Sequence, residues 1–131
     1  MPQMTRDEIF EKVKQVLVEA LSVDEEEVTR EAVIRDDLGA ESIDFLDIQF
    51  RLEKEFGIKI PKGEMMPEDL AANAEFVADG KLTESGISEL KARMPHADFK
   101  ALKPGDDLEE MSKLFTVDAV VNYVQRKLNA A

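Results

Sequence analysis

The chain has 131 residues, with 29 acidic side chains against 17 basic ones and a formal charge of −12. Nucleic acid and anionic membranes are therefore disfavoured as partners, because their phosphates would be repelled. Hydrophobic residues make up 44% but aromatics only 6%, and tryptophan is absent, which fits a small helical domain with an aliphatic and methionine core better than a sheet sandwich.

Cysteine is absent, so disulfides and thiolate metal sites are excluded, and any thiol on this protein has to be imported. No apolar run approaches membrane-spanning length, and the N-terminus has no apolar stretch of the signal-peptide kind. The expectation is one domain over 1–131, monomeric, cytoplasmic and without membrane insertion.

The first helix is predicted from about Arg6 to Leu21. Thr5 and Glu8 form a capping box, and Met4 with Ile9 a hydrophobic staple. Ile9, Phe10, Val13, Val16, Leu17, Ala20 and Leu21 mark its apolar face. A long polar connection follows, with anchors at Val23, Val28, Val33, Ile34 and Leu38 and a short helical turn near Asp24 to Val28. Gly39 then breaks the chain just before Ser42.

The second helix, about 42–56, carries two apolar stripes. Phe45, Ile48, Leu52 and Phe56 form a core stripe. Ile43, Leu46 and Phe50 form another, interleaved with Asp44, Asp47 and Glu53. Two readings of the second stripe stand open: core covered by the later part of the chain, or a docking face ringed by acid.

Gly57 ends this helix, and Ile58 to Pro61 is an extended exit. Pro67-Glu68-Asp69 looks like a helix start leading through Leu70, Ala74 and Val77 to a stop at Gly80. Thr83 caps a further helix carrying Ile87, Leu90 and Met94 and stopped at Pro95, and a short helix is expected near Leu108 to Leu114. Thr116 caps the last helix, about 117–129, where Phe115 with Val120 forms a staple and Val117, Val120, Val121, Val124 and Leu128 face the core.

Ser42 is the residue that points to chemistry. A glycine turn presents its hydroxyl at the start of an acidic amphipathic helix, with no histidine, lysine or cysteine near it in sequence to make it a nucleophile. Such a serine is suited to being modified. A helix N-terminus offers backbone N–H groups and partial positive charge, both favourable to a phosphodiester. Asp36, Asp37, Glu41 and Asp44 would repel a free anion and make better sense as contacts for a basic enzyme.

The run Asp37-Leu38-Gly39-Ala40-Glu41-Ser42-Ile43-Asp44 resembles the Asp-Leu-Gly-x-Asp-Ser-Leu-Asp motif of acyl carrier proteins, with Glu41 for the usual aspartate and Ile43 for the usual leucine. The resemblance extends through Phe56 to Pro61. Asp44-Phe45-Leu46-Asp47-Ile48 and that exit look like specialised bacterial carriers for very long or unusual acyl chains. It implies an all-α fold: a helical bundle with core helices near 6–21, 42–56 and 117–129, and an insertion over about 62–115.

It also implies that Ser42 carries covalent 4′-phosphopantetheine, derived from coenzyme A, with acyl groups held on its thiol. The chain would be a carrier and not an enzyme, serving fatty-acid, specialised lipid or polyketide-type biosynthesis. Its partners would be a phosphopantetheinyl transferase and acyl-loading and acyl-processing enzymes with basic docking surfaces. They would meet a patch of Glu41, Ile43, Asp44, Leu46, Asp47, Phe50 and Glu53. The insertion departs from the family pattern; Met65, Met66, Leu70, Phe76, Val77, Ile87 and Leu90 would either alter cargo or partner choice or bury a small core of their own.

Other readings are a peptidyl or aminoacyl carrier, a non-covalent helical adaptor and, least favoured, an EF-hand-like calcium site. Setting Gly80 at loop position 6 puts Val77 at position 3 and Gly86 at position 12, where oxygen ligands are required. A Ser42 hydrolase lacks the Gly-x-Ser-x-Gly elbow, and His96, the one histidine, is expected to be a solvated loop residue. Neither catalytic nor metal-binding residues are expected.

Overall fold

A computed structural model describes residues 4–61, 73–100 and 102–130, with Ser42, Ser112 and Ala130 described through their backbone. Helix α1 spans Arg6–Leu21, α2 Ser42–Phe56, α3 Glu84–Arg93 and α4 Val117–Ala130. A two-stranded hairpin, β1 Val77–Ala78 and β2 Lys81–Leu82, is the only sheet among the described residues. The fold is all-α in character.

Helix α1 starts where Thr5 accepts the Glu8 N–H at 3.2 Å and Glu8 accepts the Thr5 N–H at 3.0 Å. It packs against both α2 and α4. Ile9, Val13, Val16 and Leu17 meet Ile48, Leu52 and Phe56 of α2 and Val117, Val120, Val121 and Val124 of α4 in one buried cluster. Val28, Ile34, Leu38 and Ala40 of the long connection close it. The core stripe of α2 is thus where its spacing placed it. Between α1 and α2, Lys12 pairs with Glu55 at 2.9 Å and Arg51 with Glu19 at 3.3 Å.

The segment after α2 corrects one expectation. Residues 67–72 of the expected helix, with Met65, Met66 and Leu70, lie outside the described residues, but 73–80 are not helical. They form a turn and then the hairpin, in which Ala78 pairs with Lys81 around Asp79 and Gly80. Both turn residues have positive φ, 53° and 74°, as a two-residue type I′ turn requires. The Asp-Gly pair was the signal, and strands of two residues are too short to show a period.

Helix α3 begins at Thr83, whose hydroxyl accepts the Gly86 N–H at 3.0 Å. Gly86 lies against the hairpin so closely that a Cβ there would stand 2.2 Å from the Phe76 carbonyl oxygen. Leu82, Ile87, Leu90, Met94, Leu102 and Leu114 make a second buried cluster, with Phe76 and Val77 packed on it. These apolar residues therefore bury a core of their own. The expected short helix is a 3-10 helix at Leu108–Leu114.

Candidate functional site

The turn before Ser42 is built from the connection. Ile34, fully buried, donates its N–H to the Phe115 carbonyl at 3.0 Å, and Ala40 donates to the Ile34 carbonyl at 3.2 Å. The Asp37 carboxylate accepts the Val33 N–H at 2.7 Å, while the Asp37 N–H donates to the Val33 carbonyl at 2.7 Å. Leu38 and Ala40 are both buried, and Gly39 between them adopts φ +73° with nothing within 4 Å of a Cβ position. Gly39 is needed for its backbone conformation, not for room.

That turn delivers Ser42 as the first residue of α2, behind an extended Glu41. Asp44 closes the helix start: its carboxylate accepts the Glu41 N–H at 2.8 Å, and its own N–H donates to the Glu41 carbonyl at 2.9 Å. Phe45 packs edge-on against Phe115, with ring centroids 5.0 Å apart, which ties the helix start to the residues leading into α4. The 30–34 part of the connection in turn receives the first α4 amides, Val117 on Ala32 at 3.0 Å and Asp118 on Arg30 at 2.9 Å.

On the outer face of α2 the second apolar stripe is open: Ile43, Leu46 and Phe50 are 72%, 57% and 68% exposed. These are the large hydrophobic side chains exposed among the described residues, so the described part of the later segment does not cover them. Glu41 and Asp47 are exposed beside them, and Asp47 pairs with Arg51 one turn on at 3.0 Å. The other two expected docking acids have structural partners. Asp44 caps the helix, and half-buried Glu53 accepts the Ile60 N–H at 2.8 Å, holding the exit from α2.

Phe115 was not among the expected site residues, and Asp37 was expected only as a contact for a basic enzyme, yet both shape the turn that presents Ser42. Aspartate two residues before a turn glycine is a legible signal for a side-chain clamp; Phe115 looked only like a staple. His96 is corrected: it is buried, not solvated, and its ring meets Tyr123 edge-on at 5.2 Å. Among the described residues, no group of three or more acidic or histidine side chains is arranged to hold a metal ion. Likewise, no helix among them is long and apolar enough to cross a membrane.

This geometry suits a bulky phosphodiester on Ser42. The helix start places first-turn amides and their partial positive charge at this end of α2, and the flanking Glu41 and Ile43 are exposed, leaving the approach open on either side.

A family model for the phosphopantetheine attachment site matches residues 11–73, taking in most of α1, the connection and all of α2. The chain is 44% identical over 79 residues to an acyl carrier protein of Petrotoga mobilis, covering 60% of this chain and 93% of that one. It is 48% identical over 61 residues to an acyl carrier protein of Thermotoga maritima, covering 47% of this chain and 75% of that one. Against an acyl carrier protein of Rubrobacter xylanophilus the identity is 44% over 61 residues, with the same shares covered.

Proposed function

The chain belongs to the acyl carrier protein family, and we propose that Ser42 is the residue through which it carries 4′-phosphopantetheine. The protein is a carrier and not an enzyme, and it works with a phosphopantetheinyl transferase and acyl-processing enzymes. When bound, the prosthetic group supplies the thiol on which acyl groups travel as thioesters between biosynthetic enzymes. The chain itself has no cysteine that competes for the cargo.

The observation that carries the assignment to Ser42 is its place at the first position of α2, directly after the Gly39 turn, inside the matched segment. Asp37 and Asp44 fix the backbone on either side of it. Buried Leu38 and Ala40 stop the turn from swinging away. What remains for a transferase is an exposed edge of known shape.

Partner enzymes meet the stripe of Ile43, Leu46 and Phe50, flanked by Glu41 and Asp47. Three exposed apolar side chains with acids beside them support a small interface with basic surfaces. Such an interface is weak enough to exchange one enzyme for the next. Asp44 and Glu53 add negative charge to this face while holding the helix ends. A monomer working in the cytoplasm is part of the same reading.

Intact mass before and after treatment with coenzyme A and a broad-specificity phosphopantetheinyl transferase tests the assignment. One phosphopantetheine increment is expected, with one new titratable thiol, and none in Ser42→Ala. An increment that persists in Ser42→Ala would place the attachment elsewhere.

A further inference from the structure

Between the end of α3 and the last turns of α4 lies a groove of about 560 Å³, a scale that takes a small organic molecule. Both halves of the fold line it: Arg93, Pro95 and His96 on one side, Tyr123, Arg126 and Lys127 on the other. No lining residue is acidic, in a chain of net charge −12. Helix dipoles account for cations in the last turns of two helices. They account for neither the concavity nor its aromatic lining.

His96 and Tyr123 are buried, with their rings edge-on, and Asn122 fixes the loop by donating its side-chain amide to the His96 carbonyl at 2.9 Å. The Arg93 guanidinium is steadied by Glu89 at 3.2 Å, and the Lys127 ammonium stands 6.0 Å from the Tyr123 ring centre. Among the described residues no ion pair is formed by Arg126. Two guanidinium groups and an ammonium set three positive charges on one groove. A phosphate monoester, close to doubly negative at neutral pH, matches that charge better than a carboxylate with one negative charge.

We propose that this groove binds a small organic phosphate monoester, its phosphate on Arg93, Arg126 and Lys127 and its carbon body against Pro95, His96 and Tyr123. The site is separate from Ser42. Tyr123 to Lys127 lie six to ten residues beyond the start of α4, roughly 9–15 Å along the helix. The apolar clusters of the bundle and of the later segment are distinct, so a ligand held by both walls ties one to the other.

The test uses the full chain in 150 mM NaCl, where surface attraction is screened, with phenyl phosphate, benzoate and inorganic phosphate as probes. In two-dimensional amide NMR, phenyl phosphate should shift 92–96 and 123–129 saturably. It should bind at least about tenfold more tightly than benzoate or inorganic phosphate, and Arg126→Gln or Lys127→Gln should weaken it about tenfold. Isothermal calorimetry gives the constants. No saturable shift, or equal shifts from all three probes that survive both substitutions, would overturn the proposal. Neither outcome touches the assignment of Ser42, which the mass increment reports independently.

Discussion

The Phe45 and Phe115 rings meet edge-to-face, 5.0 Å between centroids and 71° apart, and join the helix that begins at Ser42 to the strand-like entry into α4. Phe115 is buried, and its carbonyl also takes the Ile34 N–H. One residue thus supports the Ser42 turn from below by packing and by hydrogen bonding.

Phe115→Ala is expected to cost about 3–5 kcal/mol in urea unfolding, as a large side chain removed from a packed core. Phe45 is only half-buried and should cost less. A double-mutant cycle should return a coupling of about 0.5–1.5 kcal/mol, the range for aromatic pairs. Additive losses would show that the two rings are neighbours without an energetic link.

Two glycine-to-alanine substitutions should separate backbone strain from collision. At Gly39 there is space for a Cβ but φ is +73°, so Gly39→Ala should cost about 1–2 kcal/mol and slow modification of Ser42. At Gly86 the added carbon would meet the Phe76 carbonyl at 2.2 Å. Gly86→Ala should therefore part α3 from the hairpin. Hydrogen exchange should show protection lost over 76–94 and kept in α1, α2 and α4; uniform loss would mean that the two apolar clusters unfold as one.

The sequence made the bundle legible because its helices are long and their caps stand at both ends. Thr5 with Glu8, Gly57 and Thr116 bound elements whose core faces repeat over several turns. The hairpin was misread because Leu70, Ala74 and Val77 mimic helical spacing, while four strand residues carry no pattern of their own. The helix start at Ser42 and the existence of a second stripe of Ile43, Leu46 and Phe50 were readable from order alone, whereas the exposure of that stripe came only from the structure. The backbone contacts of Asp44 and Glu53 were not readable either, because a carboxylate on a helix looks the same whether it faces a partner or a backbone N–H. His96 was hidden for a related reason: a loop position says nothing about which neighbour covers it.

The exposed stripe makes a prediction about what stability will not show. Leu46→Ala and Phe50→Ala should leave unfolding free energy within about 0.5 kcal/mol of the parent, whereas Leu52→Ala on the opposite face should cost about 2–5 kcal/mol. Loading by the transferase should fall in the first two despite their intact fold. A drop in stability at Leu46 would indicate that the stripe is covered.

Asp47→Lys is a cleaner charge probe than any change at Asp44, since it removes one exposed pair with Arg51 instead of a helix cap. The stability loss should stay under about 1 kcal/mol. Loading should slow most at low salt, and the gap to the parent should close as salt rises. A salt-independent defect would point to shape rather than charge.

The cap of α1 predicts a pH signature. The Glu8 carboxyl is held below its ordinary value of 4.5, first by the Thr5 backbone N–H and then by the Thr5 hydroxyl. Its folded-state pKa is depressed, so its stabilisation is present above the unfolded value and is lost as pH falls through the lower folded one. Glu8→Gln should therefore lower the thermal midpoint by a constant amount above about pH 6, and the difference from the parent should shrink on acidification below 4.5. Comparing the two proteins at each pH removes the contribution of every other carboxylate. No difference between the two proteins at any pH would show that the charge of Glu8 plays no part in the cap, and that an amide oxygen serves as well.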